Sequence, residues 1–545
     1  MSSDTFFITT AIDYTNGAPH IGHAYEKVLA DVMARYQRLA GKEVFFLTGV
    51  DQHGQKVQQS AEKEGVAPQE FVDRVTQKFV DLWQKLDVRY DAWAATTTER
   101  HKTVVRAILQ RLWDDLDPAT GKSRWIYKDK RAGYYSVRQE QFLTDKERGE
   151  DGEFGPEWGQ VEFREEENYY FRLNDHKQWL LDLIDRRSGG DRPLVIPTFR
   201  AAELRNAVEK LTGDLCISRP KARLEWGISF PFDPDFVTYV WFDALVNYIS
   251  FAPGYDPAAG AILTEFSRWW PALHVIGKDI LIPAHGVYWP IMLKSLGVAD
   301  DDIPALLVHG WWNISGEKMS KSVGNVVDPN ALADTYGSEA LRYYLMSDIT
   351  TGRDADFTHD RLILRLNGDL GKNLGNLLQR GLTMVHKFRQ GKLAKFQHPG
   401  DVDIEAVANN HVAIWRERFE GRLTRPDGVV EKAEPWQIHL ALAAAFDLST
   451  HCNQFIDSEK PWALAKDPAE ADRLDAVLYH LCDSLRIIAI LISPVLPKAA
   501  ASIWEQLSVS GRIRLADAKW GGLPDGHVIN APSPLFPVYV APKAE

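Results

Sequence analysis

The stretch from Phe6 to Tyr36 constrains the fold more than any other part of this chain. Phe6 to Ile12 (FFITTAI) is apolar and β-branched, the pattern of a buried strand, and Asn16-Gly17 and Pro19 then mark a turn. From about Ile21 the apolar residues Ile21, Val28, Leu29, Val32, Met33 and Tyr36 follow a helical period. A buried strand feeding a helix through one turn is the opening unit of an α/β fold. It also places His20 and His23 at a helix N-terminus, where free backbone N–H groups and the helix dipole favour an anion. Two imidazoles there can donate to phosphate oxygens as charge shifts in a displacement at phosphorus. Gly22 between them removes a side chain, so that a flat ring such as a purine can approach the backbone. Alone, the same pattern also fits two surface histidines at a helix start.

A second motif lies some three hundred residues on. Leu306 to His309 reads as another strand; Gly310, Ser315-Gly316 and Gly324 then mark a flexible loop carrying Lys318-Met319-Ser320-Lys321-Ser322. Asp328-Pro329 starts the next helix, Asp as N-cap and Pro in the first turn. Lys318 and Lys321, separated by two residues, can both reach a polyphosphate as point charges. A solvated loop with a few lysines is the commoner meaning of such a stretch. In this order, with a large segment between, the two motifs describe a site that grips a nucleoside triphosphate from two sides.

At 545 residues, with 45% hydrophobic and 25% charged residues, the chain has the material for several soluble globular domains. No apolar run approaches a membrane span and no signal peptide is evident; Cys216, Cys452 and Cys482 give no disulfide framework, so a reducing, cytoplasmic setting is expected. The net charge of −12 disfavours non-specific nucleic-acid binding without excluding a local basic track. Strand–helix alternation predicts a Rossmann-type doubly wound catalytic domain over 1–115 and 226–300, split by an insertion over 116–225. A connective segment with the lysine loop follows over 301–360. From 361 to 545 amphipathic patterns at Leu362–Phe388, Pro435–Phe455 and Ala471–Leu491 predict an all-α bundle.

The stretches ITTAIDYTNGAPHIGHAYEKVLAD, FFLTGVDQHGQ, GDLCISRP, TYVWFDALVNYISF, HVIGKDILIPAH, GEKMSKSVGNVVDP, NLGNLLQR and EKPWALAK, in this order, resemble the class I aminoacyl-tRNA synthetases, and among them the methionyl-tRNA synthetase family. The resemblance runs from about residue 5 to nearly the end. It implies a ligase that activates methionine with ATP and Mg²⁺ and transfers it to initiator and elongator tRNA(Met). His20, His23, Lys318 and Lys321 would then be catalytic, and Gly22, Gly277, Asp279 and Lys321 would hold ATP. Asp51 matches the carboxylate that pairs with the substrate ammonium. Ile12, Tyr14, Trp241, Ala244, Tyr248, Ile280 and His285 match the positions lining the methionine side chain, and Arg219 an arginine near the substrate. Asp279 also fits an N-cap of the helix expected after it. Asn376, Arg380 and Trp462 match residues that meet the anticodon, where an indole can stack on a splayed base.

The sequence departs from the family at three places. Leu245 stands where Pro is usual, and Asp13 where another residue often stands. Where relatives carry zinc knuckles, the ligand positions hold Ser136, Gln139, Gly155 and Trp158, so no structural zinc is expected. The large editing insertion of the valine, isoleucine and leucine enzymes is missing, and no appended oligonucleotide-binding domain follows the helices, so a monomer is expected. Three other readings stay open: a sister synthetase, a small-molecule nucleotidyltransferase with the same histidine motif, and a tRNA-binding paralogue without catalysis.

Overall fold

The structure is a computed structural model that describes residues 4–540 except 137–140, 144, 150, 190–191, 257–260, 263, 315, 319–325, 395–403 and 426. Seven parallel strands form the central sheet: β1 (Thr5–Thr10), β2 (Asp13–Tyr14), β3 (Glu43–Asp51), β4 (Ala92–Ala95), β5 (Val195–Ile196), β6 (Leu273–Gly277) and β7 (Ala305–His309). Their order is β2-β3-β1-β6-β7-β5, with β4 also on β3. Strands as apolar as VFFLTGV and LHVIG suit a parallel sheet covered on both faces. From β1 the chain winds outward to β3 on one side, while β6 on its other flank winds toward β7. The crevice at the carboxyl ends of β1 and β6 is therefore a topological switch point, where such sheets bind ligands.

Helix α1 (Ile21–Leu39) follows the first strand-turn unit, as its apolar period requires. β1 sets Thr9 against Leu47, and β2 rejoins β3 with Tyr14 against Asp51, five residues of one strand against four of the other. The bulge falls at Thr10–Ile12, and it brings Ile12, Asp13 and Tyr14 together over the carboxyl end of β3.

The insertion is a four-stranded antiparallel sheet built on a long ribbon, Ile126–Ser136 with Val161–Phe171, flanked by Gln141–Leu143 and Leu215–Cys216. The edge strand β5 of the central sheet lies inside the same stretch of sequence. At the position of the expected zinc-free knuckle, the Ser136 hydroxyl donates to the Trp158 carbonyl at 2.5 Å, and Gly155 precedes a single 3₁₀ turn, Pro156–Trp158. Gln139 lies outside the described residues.

Downstream, Asp328 caps helix Pro329–Tyr336 through its side chain, as the sequence predicts. Helix His359–Leu364 runs through a widened segment, Arg365–Gly375, into Asn376–Arg389. Ile404–Glu420, Ile438–Glu459, Ala471–Ile492 and Pro497–Gln506 complete the bundle. Two of these helices, Ile404–Glu420 and Pro497–Gln506, and a small hairpin, Arg422–Thr424 with Val430–Lys432, are additions to the sequence expectation. Among the described residues, no helix is long and apolar enough to cross a membrane.

Candidate active site

A cavity of about 560 Å³ opens at the switch point, walled by the ends of β1, β2, β3, β6 and β7, the start of α1, and helices Val240–Leu245 and Asn247–Ser250. His20, Gly22 and His23 line one side of it. His20 is the N-cap of α1: its Nδ1 accepts from the Gly22 N–H at 3.1 Å, and His23 Nδ1 accepts from the His20 N–H at 3.1 Å. This reciprocal capping fixes the tautomer. With Nδ1 accepting, each neutral ring carries its proton on Nε2, which makes both Nε2 atoms donors. The rings lie 3.8 Å apart. A Cβ at position 22 would come within 2.9 Å of the His20 ring, so glycine there is needed for the packing of His20 itself.

The chain that follows the lysine loop returns to this end. The Ile21 N–H donates to the Val327 carbonyl at 3.2 Å, so the chain leaving the loop is tied to the first residue of α1. Lys318 sits in a short strand with its backbone opposite Asn313. Its side chain and the whole of Lys321 lie outside the described residues.

Gly277 and Asp279 line the cavity at the end of β6. A Cβ on Gly277 would meet Asp279 Oδ1 at 2.7 Å, so the glycine lets this carboxylate fold back over the strand end. Asp279 Oδ1 accepts from Trp311 Nε1 at 3.3 Å. It is not the N-cap of the next helix: Ile280 occupies that position, and no side chain caps it. The carboxylate is turned instead toward the Trp311 indole, which also lines the cavity.

The other end is built for an uncharged side chain. Ile12, Tyr14, Asp51, Trp241, Ala244, Leu245, Tyr248, Ile280 and His285 all line it. His285 Nδ1 faces the Ile280 carbonyl at 3.0 Å, so it must carry the proton, and Nε2 accepts from the Tyr248 hydroxyl at 2.8 Å. Burial pushes the His285 imidazole down to about 4. Tyr248 stacks on His274 with ring centroids 4.1 Å apart. Trp289 Nε1 donates to His274 Nε2 at 3.0 Å, which leaves His274 Nδ1 to donate to Thr9 Oγ1 at 2.7 Å. Burial holds His274 far below the usual imidazole range too. Both rings are neutral, in one tautomer each. Asp51 is the nearby carboxylate, at the end of β3, with its backbone carbonyl accepting from the Thr15 N–H and hydroxyl, each at 3.0 Å.

Arg219 is not on the cavity wall. Its guanidinium packs over the Tyr239 ring at 4.1 Å and donates to the Ser218 carbonyl at 2.8 Å, one layer behind. Tyr239 is the wall residue. Helix Val240–Leu245, which carries Trp241 and Ala244, is pinned from beneath by Asp243. That buried carboxylate accepts from His53 Nδ1 and His101 Nε2, each at 2.7 Å. Despite the cost of burial, the two imidazoles hold Asp243 down at about 2.

Sequence reasoning did not foresee Glu26, Lys27, Asn247, His309 or Trp311 as parts of this site. Glu26, Lys27 and Asp31 are charged yet buried on α1. The available signal was their position on the first turns of a helix whose N-terminus was already assigned to the site.

In the bundle, Asn376 and Arg380 do share one helix face. Asn376 Nδ2 donates to Asn453 Oδ1 at 3.3 Å, and Arg380 pairs with Asp457 at 2.7 Å, both across to helix Ile438–Glu459. Trp462, in the short helix Pro461–Leu464 beyond it, is 44% exposed, leaving ring surface for a stacking partner.

Comparison with known proteins agrees along the whole chain. A family model described as "tRNA synthetases class I (M)" matches residues 6–151 and 158–382. The methionine–tRNA ligase of Brucella suis is 40% identical over 553 residues, 99% of each chain. That of Deinococcus radiodurans is 39% identical over 550 residues, 99% of this chain and 75% of the relative. The structure of Mycobacterium tuberculosis methionyl-tRNA synthetase in complex with methionyl-adenylate superposes with a TM-score of 0.85 at 35% identity, over 98% of this chain and 99% of that one. With its parallel sheet, inserted antiparallel sheet and helical bundle, the chain belongs to the methionyl-tRNA synthetase family of class I aminoacyl-tRNA synthetases.

Proposed function

We infer that this chain is a methionine–tRNA ligase working in two steps. The methionine carboxylate attacks the α-phosphorus of ATP; the bond to the bridging oxygen breaks, and methionyl-adenylate and pyrophosphate form. The 3′-terminal adenosine of tRNA(Met) then attacks the adenylate carbonyl through a hydroxyl, and AMP leaves. The observation that carries this reading is the contrast between the two cavity ends. One is a largely apolar pocket lined by neutral His285, with neutral His274 behind Tyr248, beside the Asp51 carboxylate. The other presents two Nε2–H donors at a helix N-terminus.

In this reading no side chain is a nucleophile. Catalysis is positioning plus stabilisation of charge on departing pyrophosphate, by His20 and His23 on one side and Lys318 and Lys321 on the other. Asp51 takes the substrate ammonium, and Tyr14, Trp241 and Tyr248 offer aromatic surface to sulfur, worth roughly 0.3–1.5 kcal/mol per contact. Asp279 and Gly277 serve the ribose. Mg²⁺ comes with ATP; among the described residues no cluster of three or more His, Cys, Asp or Glu could cage a metal, so phosphate oxygens and water would be its ligands.

Residues 1–115 and 226–300, joined by strands β5 and β7 of the central sheet, act as the catalytic domain; the rest of 116–225 acts as its insertion, the rest of 301–360 as the connective segment and 361–545 as the reader of the anticodon. There Asn376, Arg380 and Trp462 select initiator and elongator tRNA alike. The protein works as a cytoplasmic monomer. The deciding experiment is ATP–pyrophosphate exchange with Mg²⁺ across all twenty amino acids, without tRNA. Exchange with methionine alone is expected; exchange driven by another amino acid would overturn the assignment.

A further inference from the structure

Lys27 stands behind the cavity wall, with its side chain wholly buried. Its ammonium donates to the Ala11 carbonyl at 3.0 Å, Asp13 Oδ1 at 2.6 Å and Glu26 Oε1 at 2.8 Å, which uses all three of its N–H bonds. Each of those acceptors belongs to a cavity-lining residue, and Glu26 Oε2 continues to His309 Nε2 at 3.0 Å, also on the wall. One cation thus joins the β1–β2 bulge beside the amino-acid end to the β7 terminus beside the nucleotide end. Asp13 Oδ2 is buried with no hydrogen-bond partner among the described residues.

The charges matter as much as the geometry. Asp13 and Glu26 are two carboxylates lining a cavity meant for a polyanion, in surroundings where water screens little. Without a buried cation between them they would repel the triphosphate. We propose that Lys27 is a positioning residue for the ATP step, which offsets one of the two negative charges that Asp13 and Glu26 bring to the cavity and holds both carboxylates to the wall. The inference rests on the cavity being the methionine- and ATP-binding site.

The test is methionine-dependent ATP–pyrophosphate exchange at pH 8 with Lys27→Met, Asp13→Asn and the double variant. At that pH Asp13 is mostly ionised, although burial pushes its carboxyl up to about 7. Lys27→Met is expected to raise KM for ATP about tenfold, and Asp13→Asn to lower it about twofold. The double variant should fall between them, and KM for methionine should change less than about threefold throughout. A merely structural role would move the two single variants in the same direction, and that result would overturn the proposal. So would a methionine KM that shifts as far as the ATP KM. Should Lys27→Met fail to fold, Asp13→Asn decides alone: a fall in KM for ATP supports the proposal and a rise refutes it. Wild-type protein without methionine-dependent exchange would instead remove the functional reading beneath it.

Discussion

The residue that best shows how local chemistry sets specificity is His285. Its proton is committed to the Ile280 carbonyl and its lone pair to Tyr248, so the ring stays neutral against the cavity. The pH dependence follows from that. The ring is held at about 4 when folded, against an ordinary value of 6.5, so between those values the unfolded chain binds the extra proton. Its contribution is complete above 6.5 and is lost as the pH falls toward 4. Urea unfolding of wild type and His285→Gln at pH 8 and pH 4 should show the wild type losing more stability by an amount on the order of 3 kcal/mol. Equal losses in both would mean the ring is not held neutral. His20 and His23 were legible from the pattern, because a helix start announces itself, and Asp51 only through the resemblance to the family. Their tautomers and the His53–Asp243–His101 clamp were not, since these depend on partners far away in sequence.

At the scale of elements, periodicity carried β1, α1, β7 and most of the bundle. The helix Ile404–Glu420 went unread although its buried Ile404, Ala408, His411, Val412, Trp415 and Phe419 keep a helical spacing, because Ala408 and His411 are weak markers of an apolar face. The cap at Asp328 was readable and should be measurable: Asp328→Ala removes the bond to the Asn330 N–H and should cost about 1 kcal/mol in urea unfolding. No change in the midpoint would mean the exit of the lysine loop is held by something else. The exposed Trp462 ring belongs to this scale too. Trp462→Ala should raise KM for tRNA at least about fivefold, for a stacking loss of roughly 1–3 kcal/mol, and leave pyrophosphate exchange unaltered. A matching drop in exchange would make it a structural residue.

Across the whole molecule, catalytic domain and bundle meet on α1. Arg342, fully buried, donates to Asp31 at 2.7 Å and to the carbonyls of Leu86, Val495 and Pro494 at 3.0, 2.8 and 3.1 Å. Further along, the Tyr36 ring stacks on Phe419 at 4.2 Å, and its hydroxyl donates to Glu420 at 3.0 Å. Arg342→Met should cost about 3–5 kcal/mol, because buried Asp31 loses one of its two arginine partners and keeps Arg35 and the Arg89 N–H. A loss under about 1 kcal/mol would show that the domains are joined mainly by apolar contact. None of this was visible in the sequence, where Asp31 and Arg342 are ordinary charged residues of two separate helices.

The sharing of α1 has one more consequence. The helix is 19 residues long, about 28 Å, with the cavity-lining His20 and His23 at one end and the bundle-facing Tyr36 near the other. Each residue turns it by about 100°. A single insertion or deletion between Gly22 and Tyr36 would leave the length nearly unchanged but rotate one set of contacts away from its partner. Either Glu26 would leave the cavity wall and Lys27 its place behind it, or Tyr36 would leave Phe419. The helix therefore locks the angular phase of the two domains, and change along it is confined to substitution.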